Sequence, residues 1–257
     1  MTQDERLDCM LRYLLDERDE TRGLALPADP GEKRRLWRSL VNVRPPELID
    51  GDYLRTEDTY LQEELRRKGV TRLDGLTPVQ PGLYLWQGDI TTLAADAIVN
   101  AANSRMLGCF VPCHGCIDNA IHTAAGVRLR LECTRMMALA PGEEPPGQAR
   151  ITNAHNLPCK YVLHTVGPII YGAVTPKDRA LLASCYRSCL DLAARHGCRS
   201  VAFCCISTGE FHFPGELAAQ IAIQTVRAWQ RQNPDRIEVI FNVFKDSDRE
   251  IYRRLLR

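Results

Sequence analysis

From Gly82 onward the chain alternates short apolar runs, rich in β-branched or aromatic residues, with longer amphipathic segments. The apolar runs fall at residues 83–86, 97–99, 161–166, 201–206 and 239–244. Helix-favouring segments lie at 117–137, 179–196 and 214–232, the last opening on Pro214 with Glu216 close behind. Short buried strands alternating with amphipathic helices bury their apolar surface when the helices cover both faces of one sheet, so the rhythm predicts a layered α/β domain. The stretch 141–147, Pro-Gly-Glu-Glu-Pro-Pro-Gly, reads as a surface loop.

Residues 1–78 have a different character. Charged helix-favouring stretches at 7–18, 31–41 and 52–68 are interrupted by Arg44-Pro45-Pro46, and Leu7, Met10, Leu11 and Leu14 recur at helical spacing. This predicts a helical extension packed on a main domain of residues 79–257. The charge is nearly balanced, with 33 basic and 32 acidic residues, so no long-range field draws in nucleic acid or an anionic membrane. No apolar run approaches the roughly 20 residues of a membrane helix, and the start Met1-Thr2-Gln3-Asp4-Glu5 lacks the basic and apolar blocks of a signal peptide. The expectation is a cytoplasmic protein. Most of the eleven cysteines sit in apolar runs and read as small buried hydrophobes; Cys109, Cys113 and Cys116, with His114 among them, are clustered enough to suggest metal chemistry.

Ligands of open α/β sheets collect outside the carboxyl ends of the strands, which directs attention to three junctions. In Gly88-Asp89-Ile90-Thr91 a carboxylate beside a glycine can accept from an adenine amino group, although Gly-Asp is also ordinary turn chemistry. In Asn100-Ala101-Ala102-Asn103 two amides with little bulk between them suit ribose hydroxyls, or are simply turn asparagines. In Ser207-Thr208-Gly209-Glu210-Phe211, just before a helix, backbone N–H groups can cradle a diphosphate, or merely connect strand to helix. Cys109, His114 and Cys116 place three N and S donors within eight residues, enough for one side of a tetrahedral zinc site with an open fourth position. Cys113 is the alternative fourth donor, but its adjacency to His114 strains simultaneous binding, and a metal-free cysteine cluster is the plainer alternative.

Gly-Asp-Ile-Thr, Asn-Ala-Ala-Asn, His164-Thr165-Val166-Gly167-Pro168 and the Ser-Thr-Gly loop follow one another in the order of the macrodomains, the ADP-ribose binders. Over residues 82–257 the chain therefore resembles that family. The glycine run that follows Asn-Ala-Ala-Asn in the common hydrolytic type is missing; its place is taken by Cys-x4-His-x-Cys, which resembles the zinc-dependent macrodomains of protein-ADP-ribose hydrolase type. The resemblance implies a three-layer α/β/α macrodomain with a mixed sheet, preceded by the helical extension, and one Zn²⁺ held by Cys109, His114 and Cys116. It implies Asp89 at adenine with Ile90 beside it, Asn103 at the distal ribose, and Ser207, Thr208, Gly209, Glu210 and Phe211 around the diphosphate. Phe244 is the implied aromatic beside adenine, with plain core packing as its alternative. Asp118 aligns with the acidic residue of the hydrolytic macrodomains and joins Asn103 as a catalytic candidate; its alternative is a carboxylate stabilising a helix N-terminus. His122 reads as packing.

The expected function is zinc-dependent removal of mono-ADP-ribose from modified protein side chains. Two rivals share the pocket: a reader module that binds ADP-ribose without cleaving it, and an O-acetyl-ADP-ribose deacetylase. Several relatives by this loop resemble partners of sirtuin-like ADP-ribosyltransferases that modify a lipoyl-carrier protein, an association the residues themselves do not encode.

Overall fold

The computed structural model describes residues 1–140, 142–233 and 237–257. Pro141, the first residue of the expected loop at 141–147, lies outside the described residues. Three helices come first: α1 (Gln3–Asp16), α2 (Pro30–Val43) and α3 (Gly51–Lys68). Each begins on a side chain that takes up a free N–H of its first turn, namely Thr2 in a capping box, Asp29, and Asp50. Leu7, Met10, Leu11 and Leu14 form a cluster with Trp37, Val41, Tyr53, Tyr60 and Leu61, joined by Val127 from later in the chain. The predicted apolar stripe thus finds partners in its two neighbouring helices and in one residue of the α/β layer.

The remaining elements are β1 (Thr71–Arg72), β2 (Leu83–Gln87), β3 (Leu93–Ala94), β4 (Ala97–Ala101), α4 (Ile117–Ala125), α5 (Val127–Ala138), β5 (Ala149–Asn153), β6 (Tyr161–Thr165), α6 (Pro176–Arg195), β7 (Ser200–Phe203), α7 (Gly215–Gln232), β8 (Glu238–Val243) and α8 (Asp246–Leu255). Six strands form one sheet in the order β2-β8-β7-β4-β6-β5, parallel throughout except for antiparallel β5 at the edge. Helices on both sides complete a three-layer α/β/α fold, around a core that includes Ile98, Val99, Val162, Leu163, Val201 and Ile240.

The structure departs from the sequence expectation at four elements. The helix expected over 117–137 is two helices, broken at Gly126, whose φ of +87° suits glycine and where a Cβ would stand 2.7 Å from Glu57 Oε2. The strand expected over 201–206 ends at Phe203, so Cys204, Cys205 and Ile206 lie beyond the ladder, with Ile206 packed in the core. Strand β5 and helix α8 carry no clear sequence signal. β5 is an edge strand without clean alternation, and α8 is mostly charged and buries only Tyr252.

Glu57 ties α3 to the start of α5. Fully buried, it accepts from the N–H of Val127 at 2.9 Å and from Tyr53 Oη at 3.2 Å. Burial pushes its carboxyl up to about 7, with Asp58 adding to the effect and the Val127 N–H, Tyr53 and Arg128 opposing it. Above the ordinary carboxylate value the unfolded chain releases this proton while the folded chain keeps it. Stability from this group is therefore complete below about pH 4.5 and falls as pH rises to about 7, by roughly 3 kcal/mol. Thermal unfolding followed from pH 5 to 8 is expected to show this decline, and Glu57→Gln to flatten it; equal slopes for the two proteins exclude Glu57 as the source.

Candidate active site

Because β2, β8, β7, β4 and β6 run parallel, the segments leaving their carboxyl ends meet along one rim. They enclose a cleft of about 680 Å³, a size typical of small-molecule sites. Most residues singled out from the sequence line it, namely Asp89, Ile90, Asn103, Cys109, His114, Cys116, Asp118, Ser207, Thr208, Gly209, Glu210, Phe211 and Phe244, whereas Asn100 and Cys113 do not.

At one end, Asp89 caps the short turn 90–92. Its Oδ1 accepts from the Thr91 N–H at 3.0 Å and from Thr91 Oγ1 at 2.6 Å, and its Oδ2 accepts from Lys68 Nζ at 3.1 Å. Burial pulls this carboxyl up, but Thr91 and Lys68 together hold it below its ordinary value, so it stays an acceptor. Ile90 is buried beneath it. Phe244 stands just past the end of β8 and is 75% exposed, which removes its core alternative and leaves the ring free at the cleft wall.

In the loop after β7, Ser207 has a φ of +65°, and the N–H of Phe213 closes back on its carbonyl at 2.9 Å. Among the described residues no acceptor takes the N–H of Gly209, Glu210 or Phe211. These donors therefore remain available for an anion. A Cβ at Gly209 would meet nothing within 4 Å, so the protein leaves this stretch of backbone open to the cleft.

Asn103 and Asp118 meet. Asn103 Nδ2 donates to Gly108 O at 3.1 Å and lies 3.4 Å from Asp118 Oδ2. Asp118, in the first turn of α4, is nearly fully buried and its Oδ1 accepts from Asn100 Nδ2 at 2.8 Å. Burial pushes Asp118 up to about 6, against the Asn100 hydrogen bond and the charge of Arg130. Asn100 therefore does not serve as a second ribose amide. Fully buried on β4, it bridges Asp118 and His164 Nδ1, the latter at 3.1 Å, while His164 Nε2 reaches Thr152 Oγ1 at 2.9 Å. His122 packs below, its Nε2 3.6 Å from Asp118 Oδ1; a Cβ on Gly108, whose φ is +82°, would come within 2.8 Å of its ring.

The donor atoms of Cys109, His114 and Cys116 lie within 4.8 Å of one another. Cys109 Sγ is 3.5 Å from His114 Nδ1. Zinc–sulfur and zinc–nitrogen bonds of about 2.3 and 2.0–2.1 Å at a tetrahedral angle would separate such a pair by about 3.6 Å, so the donors fit that ion. His114 Nε2 lies 3.6 Å from Glu210 Oε1, an ion-pair distance rather than a hydrogen bond, with the glutamate largely exposed. Cys113 points the other way: with a φ of +53° it sends its Sγ to Arg35 O at 3.4 Å and its N–H to Asn42 Oδ1 at 2.9 Å.

Sequence reasoning missed Asn100, Lys68, Arg38, Asn42 and Arg130 as partners of site residues. Asn100 carried a signal, as the first amide of Asn-Ala-Ala-Asn. The others lie in helices where a charged or amide side chain reads as solvated surface.

The macro domain profile matches residues 99–222. A Treponema medium protein named protein-ADP-ribose hydrolase is 53% identical over the whole of both chains. A Staphylococcus aureus (strain MSSA476) protein of the same name is 45% identical over 96% of this chain and 94% of its own. Among solved structures, the Trypanosoma brucei macrodomain in complex with ADP-ribose superposes with a TM-score of 0.67 at 29% identity, covering 90% of this chain and 97% of that one.

Proposed function

Since the chain belongs to the macro domain family, we propose that it is a hydrolase that releases mono-ADP-ribose from modified protein side chains, using one zinc ion held by Cys109, His114 and Cys116. The observation that carries this reading is the convergence of three metal donors with Asn103 and Asp118 in one cleft. A module that only bound ADP-ribose would have no use for an open donor cluster beside the distal end of that cleft.

The ligand lies along the cleft with its adenine amino group on Asp89 and its base against Phe244. The free N–H groups of Gly209, Glu210 and Phe211 take the diphosphate. Asn103 holds the distal ribose and so presents its anomeric carbon beside Asp118. Asp118 accepts the proton of the attacking water as the oxygen bonds to that carbon and the modified side chain departs with the electron pair of the broken bond. The amides of Asn100 and Asn103 keep the carboxylate oriented for this. Cys109, His114 and Cys116 would hold the zinc, which would supply Lewis-acid chemistry and help to hold the substrate.

The test is release of ADP-ribose from a mono-ADP-ribosylated protein, before and after verified removal of zinc, with O-acetyl-ADP-ribose assayed in parallel. Release is expected to cease without zinc and return on its addition, while calorimetry still detects ADP-ribose binding. Full activity of zinc-free protein overturns the metal's role. Faster turnover of the acetyl ester than of the protein substrate favours the deacetylase reading, and binding with no release favours the reader.

A further inference from the structure

We infer that the N-terminal helices form part of the catalytic apparatus, with Arg38 of α2 as the positioning residue for the loop that carries Cys109, His114 and Cys116. The inference rests on the zinc reading only for the metal's identity; the geometry stands without it.

The connection between β4 and α4, residues 102–116, has no regular structure apart from turns, and its polar backbone groups need partners. It supplies few itself, such as the His114 N–H to Val111 O at 3.2 Å. The rest come from outside. Arg38 Nη2 donates to the carbonyl of His114 at 2.8 Å, the peptide of the central metal donor. The same guanidinium grips Asn119 Oδ1 through Nη2 at 2.7 Å and Nε at 3.2 Å. Asn119, fully buried in the first turn of α4, turns its Nδ2 to Val111 O at 3.0 Å and its N–H to Cys116 Sγ at 3.4 Å. One planar fork therefore links His114 to the residue that braces Val111 and Cys116.

One turn further along α2, Asn42 accepts the Cys113 N–H and donates to Thr123 Oγ1 at 3.0 Å. Arg130 closes the other side of the loop. It donates to Leu107 O at 2.8 Å and Cys109 O at 3.4 Å, and to Val41 O and Arg44 O at the end of α2 at 3.0 and 2.7 Å.

Two facts separate positioning from mere packing. Helix α2 is seated by Trp37 and Val41 in the apolar cluster, so its place does not depend on Arg38. Among the described residues no carboxylate pairs with Arg38; its donors go to neutral oxygens of the loop and of α4, contacts that orient rather than neutralise.

The experiment compares full-length wild type, Arg38→Ala, Arg38→Lys and Asn42→Ala by unfolding temperature, calorimetric ADP-ribose affinity, zinc retention against a chelator, kcat and KM, and hydrogen exchange of residues 109–116 in zinc-free protein. For Arg38→Ala we expect ADP-ribose affinity within about twofold of wild type. Zinc affinity and kcat should fall by about 10- to 100-fold, the usual cost of losing an outer partner of a metal ligand, with KM little changed. Exchange in 109–116 should quicken. Arg38→Lys should recover little, because one ammonium cannot reproduce the planar fork. If Arg38→Ala does not fold, Arg38→Lys and Asn42→Ala carry the comparison. Wild-type zinc retention and wild-type loop protection in the variants overturn the inference. Failure of wild type itself to take up zinc overturns the metal reading instead, and the exchange measurement then decides the role of Arg38.

Discussion

Asp118→Asn is expected to slow ADP-ribose release by about 10²- to 10⁴-fold, the range lost when a positioned general base is removed. The substitution keeps the volume of a nearly fully buried side chain and keeps one oxygen to accept from Asn100 Nδ2, which now lies 2.8 Å away. What it removes is the ability to take a proton. ADP-ribose affinity is expected to stay within a few fold, since Asp89, Phe244 and the 207–211 loop lie elsewhere in the cleft. Single-turnover release from a mono-ADP-ribosylated protein, alongside calorimetric binding, reads the two quantities separately. Asp118→Ala should be as inactive and also less stable, because it leaves one N–H of the buried Asn100 amide with only His164 still in reach of that group. A release rate for Asp118→Asn within about threefold of wild type removes Asp118 from the chemistry and reduces it to a helix-terminal carboxylate.

Cys109→Ala should cost about as much by a different route. It leaves two donors where three converge, and the loss of a metal that stabilises developing charge is worth several kcal/mol; roughly 4 kcal/mol corresponds to about 10³-fold in rate. The informative control is Cys113→Ala. Cys113 lies only one residue from His114 in sequence, yet its Sγ contacts Arg35 O and it is not among the three converging donors. Metal analysis of the purified proteins is expected to find zinc in wild type and Cys113→Ala and little in Cys109→Ala, with release rates following the metal. Equal loss from both variants would mean that the cysteines serve the loop's fold rather than a metal.

Much of the site was legible because its signals are local. Asp89 follows a strand, Asn103 follows another, and Cys109, His114 and Cys116 lie within eight residues, so chain order alone brings their chemistry into view. The strand-and-helix rhythm likewise reported the layers, since apolar periodicity is a direct record of which face is buried. Weak alternation hid β5, and the mostly charged composition of α8, with few apolar residues to mark a buried face, hid that helix. Gly126 was unreadable as a break because glycine within an amphipathic run is compatible with one helix or two; the carboxylate of Glu57 on α3, which takes the N–H of Val127 and leaves no room for a side chain at 126, decides it.

What the sequence determined by itself is the class of fold and the inventory of reactive groups, because both follow from residue type and short spacing. Which way those groups point was decided only by the tertiary structure. Asn100 turns inward to hold Asp118 and His164 while Asn103 stays at the cleft. Cys113 turns away because Asn42, 71 residues distant, takes its N–H. Arg38, an ordinary charged residue on a predicted surface helix, ends up holding the peptide of His114. The physical reason is common to all three: buried donors and acceptors must be paired, and here the partners come from segments that only folding brings together.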